Sequence, residues 1–398
     1  MRTDRFEEVW LVGGVRSAFG RFGGALRDVG LVDLARQVIT ASLERFDWPQ
    51  ESLEEINVGI GMIEAGMMVP ARQIAVAAGL PESLPSLTVD RACCSGATTV
   101  GLGSRAIERG ARSVLCVGVE TMSRTPRLLH GTRWGTRLGP LEVEDLLLMH
   151  SPIADEPIAS YVGKVALEHG VGRAEQDQWA LTSQQRHAQA TARGYFTDEI
   201  APVDTPDGPF AADEHPRPDT TLEALARLPT VRNSPTVTAG NAPGLNDGAA
   251  ALIMADRSRA WEGERAPLAR VAAYLQMAES PISSAYLPGL AIRQLIEQHN
   301  MKPDDLDVIE INEAYAATPL VSVRRLVDND LALEEALLER TNVNGGAVAM
   351  GHPIGASGAR LVLTAARQLR QLGGRWAAVA ICGGFGQTDA LLLEGVDA

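Results

Sequence analysis

Aromatic residues make up only 5% of this 398-residue chain, and there are just four cysteines. No apolar stretch approaches the roughly 20 residues that a membrane-spanning helix requires. At the N-terminus, MRTDRFEEVWLVGG sets charges directly beside a short apolar run, with no signal-peptide core and no small-residue cleavage pattern. The C-terminal EGVDA carries no prenylation or peroxisomal signal. A cytoplasmic protein is the expectation. Cys93, Cys94, Cys116 and Cys382 show neither C-x-x-C spacing nor a nearby set of histidines, so no metal site is expected. In a reducing compartment disulfides are not expected either, which leaves each thiol as packing or as chemistry. Positive charge is also short, with 36 basic residues against 50 acidic ones and a net charge of −14. That balance argues against nucleic acid and anionic membranes as partners. An anionic substrate would have to find a local positive field.

Glycine, by contrast, is abundant at 39 residues, and 45% of the chain is hydrophobic. This combination suits an α/β protein of more than one domain with many tight strand–helix turns. Short apolar runs predict strands over 9–14, 56–62, 86–90, 113–120, 248–256 and 270–278. Residues 15–26 read as a Gly-rich loop. Helical spacing covers 31–46, 96–110, 174–195, 222–228 and 289–300. A strand running into a turn and helix is expected at 308–317, a glycine-rich loop feeding a helix at 342–369, and two strands around a glycine turn at 376–396. Between about 121 and 243 the texture becomes polar and irregular, reading as a mostly helical insertion.

The two ends of the chain repeat each other. SLEEINVGIG (52–61) parallels DLDVIEINEA (305–314), SLTVDRACCSGATTVGL (86–102) parallels 340–363, and SVLCVGVETM (113–122) parallels WAAVAICGGFGQ (376–387). Each repeat runs from an acidic strand through a loop into a Gly/Ala helix, then to a buried strand ending in a turn. Duplication predicts two similar halves facing each other, with equivalent loops meeting at one site. The expected division is 1–122 plus 244–272 for the first half, 123–243 for the insertion and 273–398 for the second half.

Cys93, in D-R-A-C-C-S-G, falls between a strand and a helix start. Unpaired N–H groups and the positive end of the helix dipole there predict a lowered thiol pKa and a nucleophile. His352 is set in G-G-A-V-A-M-G-H-P-I-G-A-S-G, where Pro353 can open a helix and leave the imidazole on the loop before it. A general base is the expected role. Cys382, in V-A-I-C-G-G-F-G-Q, ends a buried strand where Gly383, Gly384 and Gly386 free backbone N–H groups for an oxyanion. Taken alone, it reads equally well as a core thiol. Asn312, in I-N-E-A-Y, reads equally as a turn residue or as the holder of a water or carbonyl oxygen. Cys94 and Cys116 read as packing.

Seven segments together resemble the signature set of the thiolase family: V-R-S-A-F-G-R-F-G-G (15–24), D-R-A-C-C-S-G (90–96), G-V-E-T-M-S (118–123), V-T-A-G-N-A-P-G-L-N-D-G-A-A-A (237–251), N-E-A-Y-A-A (312–317), the 342–358 loop and C-G-G-F-G-Q (382–387). They stand in the family's order and span nearly the whole chain. The resemblance implies two duplicated α/β halves in a five-layered α-β-α-β-α arrangement, with the insertion as a loop domain that holds coenzyme A. It implies acyl transfer through Cys93, with His352 taking the thiol proton and Cys382 moving a proton at the α-carbon of the second acyl-CoA. Asn312 would hold a water in one oxyanion hole, and the N–H groups of Cys93 and Gly384 would form the other. Arg217 would face the nucleotide end of CoA. Ala239, Gly240, Pro243, Ala314 and Tyr315 would lie along the pantetheine. No cofactor is implied beyond CoA thioesters as substrates, with acetoacetyl-CoA the expected type. A homodimer or homotetramer is implied as well.

Three departures stand out. Asp90 replaces a frequent Asn, and Pro243 replaces a frequent Ser. I-A-S-Y-V-G-K-V-A (158–166) occupies the place of a Met-Gly turn and an A-E-N-x-A helix. The last two fall where acyl-chain size would be set. A ketoacyl synthase of the same fold would not need the second thiol, and a non-catalytic CoA-binding scaffold would have lost a catalytic residue; none is lost.

Overall fold

The computed structural model describes residues 3–62, 67–262 and 266–396. The first half contributes β1 (Val9–Ser17), α1 (Leu31–Arg45), β2 (Glu55–Gly59), α2 (Pro70–Ala77), β3 (Ser86–Val89), α3 (Ser95–Glu108), β4 (Ser113–Thr121) and, after the insertion, β5 (Asn246–Asp256). The insertion's longer elements are α4 (Ile158–Glu168), α5 (Arg173–Ala192) and α6 (Leu222–Ala226). The second half contributes β6 (Ala269–Ala278), α7 (Leu287–Gln298), β7 (Val308–Ile311), α8 (Ala317–Leu326), α9 (Leu331–Glu339), α10 (Ile354–Leu372), β8 (Trp376–Cys382) and β9 (Gln387–Glu394). No helix among the described residues is long and apolar enough to cross a membrane.

The duplication appears directly in the strand order. The first half runs β1-β5-β4-β2-β3, and the second runs β6-β9-β8-β7, with Thr341 bridging Ile309 in the place of a third strand. In each half the last strand is antiparallel to both neighbours, while the second strand is parallel to the fourth. The halves join where Leu11 and Trp10 of β1 pair with Ala269 and Arg270 of β6. Strand β6 takes the first place in the second half, so that half begins ahead of residue 273.

Side-chain alternation along each strand produces the layers. Ala250, Leu252 and Met254 of β5 face a core shared with α3, α10 and the second sheet. Ala249, Ala251 and Ile253 face α1 and α2 on the outside. A third core lies between the second sheet and α7 and α8. The result is the five-layered arrangement with α3 and α10 in the middle.

Those two helices touch backbone to backbone. A Cβ on Gly358 would lie 2.3 Å from the Ala97 nitrogen, and one on Gly96 2.7 Å from the Ala359 nitrogen. Gly118 and Gly355 meet as closely, with 2.5 Å from a Gly118 Cβ to the Gly355 oxygen.

Two elements differ from the sequence pattern. Strand β1 continues to Ser17 through the expected loop, because the buried Arg16 is neutralised by Glu199 and Asp213 at 2.6 and 2.7 Å. Helix α9 arises where the periodicity gives little warning; the Asp330 carboxylate caps it by accepting from the backbone of Ala332 and Leu333. The insertion docks on the second half by packing Tyr161, Val162, Val165 and Trp179 against Ala317, Leu320 and Val321 of α8.

Gly358→Ala should therefore destabilise the protein by about 1–3 kcal/mol through overpacking, despite alanine's better helix propensity. Denaturant unfolding compared with wild type checks this, and an unchanged or raised midpoint contradicts it.

Candidate active site

Cys93 sits between β3 and α3, on a loop held at both ends. Ala92 adopts a left-handed φ of 48°. The Asp90 carboxylate accepts the Ala92 N–H at 3.0 Å, and Ser95 Oγ accepts from the Arg91 N–H at 2.8 Å. The Arg91 side chain crosses to the second half. It donates to the Asp389 carboxylate, to Gln387 Oε1 at 3.1 Å and to Thr98 Oγ1 at 3.0 Å. Asp389 also accepts from Tyr274 at 2.7 Å.

His352 occupies the equivalent place before α10. Gly351 has a φ of 103° and lies against the Asn246 side chain, where no Cβ would fit. Asn246 Oδ1 in turn accepts the His352 N–H at 2.9 Å. The imidazole Nδ1 lies 2.6 Å from Ser357 Oγ, and Ser357 Oγ lies 2.9 Å from the Pro353 carbonyl oxygen. That carbonyl can only accept, so the hydroxyl proton goes to it and Ser357 accepts from Nδ1–H. This fixes the tautomer and leaves a lone pair on Nε2. Nε2 is 3.2 Å from Cys93 Sγ and 3.3 Å from Asn312 Nδ2.

Cys382 ends β8. Its turn is closed by Gly383 N–H donating to the Gln387 carbonyl at 2.9 Å, with Gly384 at a φ of 66°. The two cysteine loops pack directly on each other, since Cys94 Sγ donates to the Ile381 carbonyl at 3.2 Å. Asn312 follows β7, and the neighbouring Glu313 accepts from Trp179 at 3.0 Å and Ser183 at 2.8 Å of α5. The insertion thus helps to hold the Asn312 loop.

Cys93, His352, Cys382, Gly384, Pro243, Ala314 and Tyr315 line one cavity of about 110 Å³. Met122, Met149, Ile158 and Val162 supply apolar wall. Arg217, Ala239 and Gly240 are not in that wall. Arg217 is exposed on the insertion, with its N–H on Gln184, and Gly240 packs beside Leu225 and Leu228 near α6. His215 connects the two regions, because its ring fills the space beside Gly244 at the cavity edge. A larger cleft of about 790 Å³ opens between α5 and residues 194–218, but its walls contain no cysteine. Cys116 is buried in the core, as packing requires.

Comparison with known proteins agrees with this arrangement. The family profile "Thiolase, N-terminal domain" matches residues 9–258, and "Thiolase, C-terminal domain" matches 265–395. The chain belongs to the thiolase family of acyltransferases. A beta-ketoadipyl-CoA thiolase of Pseudomonas aeruginosa is 41% identical over 98% of this chain and 99% of its own length. A probable acetyl-CoA acetyltransferase of Mycolicibacterium smegmatis is 37% identical over 96% of this chain and 100% of its own. The crystal structure of human mitochondrial 3-ketoacyl-CoA thiolase in complex with CoA superposes with a TM-score of 0.92, at 35% identity over 98% of both chains.

In this thiolase the charge state of the nucleophile differs from the sequence expectation. Burial pushes the Cys93 thiol well above its ordinary value, and the neighbouring Cys382 and Glu120 push it further. The local N–H groups oppose these effects without overcoming them. Burial likewise brings His352 down to about 3, with Arg360 contributing, and raises Cys382 to about 11 against the Gly384 N–H. The resting pair is thus a neutral thiol facing a neutral imidazole. Proton transfer belongs to the attack itself.

The spacing of H-P-I-G-A-S-G places Ser357 one helical turn past His352, a signal that the sequence offers for its positioning role. Asn246, Arg91 and Asp389 have no such local signal.

Iodoacetamide labelling of Cys93 in the free enzyme should climb with pH through 9, the ordinary thiol value, without levelling near neutrality. A plateau at pH 6–7 would reveal a preformed thiolate. His352 makes a second prediction. Below about 6.5 the unfolded chain protonates it, while the folded chain waits until about 3. Stability from this site is therefore intact above 6.5 and falls as pH drops towards 3. His352→Gln should shrink the difference between urea midpoints at pH 7 and pH 5.

Proposed function

We propose that this thiolase catalyses the reversible condensation and thiolytic cleavage of short 3-ketoacyl-CoA thioesters, acetoacetyl-CoA being the simplest, through an acyl-Cys93 intermediate. The observation that carries the reading is the 3.2 Å contact between Cys93 Sγ and the unprotonated Nε2 of His352, in a cavity that also holds Cys382.

In cleavage, Cys93 Sγ attacks the 3-keto carbon while His352 takes its proton. The C2–C3 bond then breaks, leaving an acyl thioester on Cys93 and the α-carbanion of acetyl-CoA. Cys382, which holds its proton tightly at rest, donates it to that carbon. Free CoA then takes the acyl group from Cys93, giving its thiol proton to the Cys382 thiolate, while His352 returns its proton to the departing Cys93 sulfur. Condensation reverses each step, with Cys382 removing the α-proton. Dividing the reaction into two covalent halves avoids bringing three partners together at once.

Asn312, through its bond to His352, and the N–H groups of Cys93 and Gly384 are suited to the two developing oxyanions. Arg217 is free to meet the phosphates of CoA. Ala239, Gly240, Pro243, Ala314 and Tyr315 mark a route for the pantetheine from the insertion to the thiols. The small, largely apolar cavity favours short acyl groups. A homo-oligomer fits the exposed outer edge of β3, where Leu87 faces outwards and no strand pairs among the described residues.

Intact-protein mass spectrometry after brief mixing with acetyl-CoA should show one added acetyl group, lost in Cys93→Ala. Cys382→Ala should still acylate but lose condensation and cleavage by about 10²–10⁴-fold. A wild-type protein that is never acylated, or a Cys382→Ala variant with full turnover, contradicts the assignment.

A further inference from the structure

Two hydroxyl groups share a corner of the cavity, Tyr161 of α4 and Ser284 of the helical turn that precedes α7; each lies close to the other, and neither makes a well-aligned hydrogen bond among the described residues. Both residues are buried, with Tyr161 only 1% exposed and Ser284 3%. Buried hydroxyls are nearly always paired, because leaving one unmade forfeits its hydration without return. Two donors that can satisfy each other only in part ask for a further acceptor, and the cavity is where one can enter.

Their position says where that partner lies. Ser284 lines the cavity together with Cys382, Tyr315, Ile158 and Val162. Tyr161 lies between Ile158 and Val162 in sequence, and its phenol is near Ser284, the Phe385 backbone and both reacting thiols. Burial raises Tyr161 to about 12, so the phenol remains a donor at working pH. Among the described residues no charged side chain lines the cavity, so a carboxylate placed there would be buried without a cation from them.

We propose that this corner selects a short acyl group bearing a neutral oxygen, a hydroxyl or carbonyl beyond the carbon joined to Cys93, that accepts hydrogen bonds from Tyr161 and Ser284. The assignment rests on the thiolase chemistry proposed above and specifies its substrate. A site built to bond an oxygen rejects the analogue that lacks one, because the buried donors are then left unpaired.

The test compares kcat/KM for thiolysis of 3-oxohexanoyl-CoA, 5-hydroxy-3-oxohexanoyl-CoA and 3-oxoadipyl-CoA, the last ending in a carboxylate. Wild type should favour the hydroxylated chain over the plain one by about tenfold or more. Tyr161→Phe and Ser284→Ala should each lower that ratio several-fold. A ratio that neither substitution moves overturns the proposal. So does a preference for the carboxylate. Failure of all three thioesters to acylate Cys93 would instead overturn the thiolase chemistry beneath it.

Discussion

The site depends on how closely α3 and α10 approach. Each helix begins just after one half of the reacting pair, Cys93 before α3 and His352 before α10. Gly96 and Gly358 let the two backbones touch, and Gly118 and Gly355 do the same between β4 and the start of α10. A side chain at any of these points would push the helices apart and lengthen the 3.2 Å contact between Sγ and Nε2. Hydrogen bonds fix orientation only after packing has set this distance. Ser357 then selects the tautomer, Asn246 holds the loop, and Arg91 ties the Cys93 loop to Asp389 in the opposite half.

The same closeness governs the electrostatics. Bringing both thiols and the imidazole into one buried space removes the water that would stabilise a charged pair. Desolvation outweighs the favourable N–H groups at Cys93 and depresses His352 at the same time. Both groups remain neutral until a substrate carbonyl arrives to receive the charge. The neutral state also limits the reaction of Cys93 with adventitious electrophiles, since the thiolate is the reactive form.

Much of this was legible in the sequence because it is written in local patterns. Loops leading into helices announced Cys93 and His352, a glycine turn between two strands announced Cys382, and the repeated order of elements announced that they would meet. The failures are of two physical kinds. At Cys93 the helix-terminus argument is sound locally, but burial by a distant half of the chain reverses its sign. Arg16 similarly extends β1 through an expected loop only because Glu199 and Asp213 arrive from the insertion. The other kind concerns distance. Tyr161 and Ser284 come from segments far apart in the chain, so no spacing relates them.

One asymmetry between the halves has an evolutionary consequence. In the second half a four-residue turn, Gly383–Gly386, connects the last two strands; in the first half the same junction is spent on the whole insertion, residues 122–245. The turn follows Cys382 directly and, with Gly384 and Gly386 at positive φ, tolerates little variation, whereas the excursion carries α4 and can drift while the sheets that flank it stay in register. A duplicated ancestor thus separates two tasks that a single copy would have to combine: one junction is held to the bond-making chemistry, and the other is released to explore which acyl groups that chemistry receives.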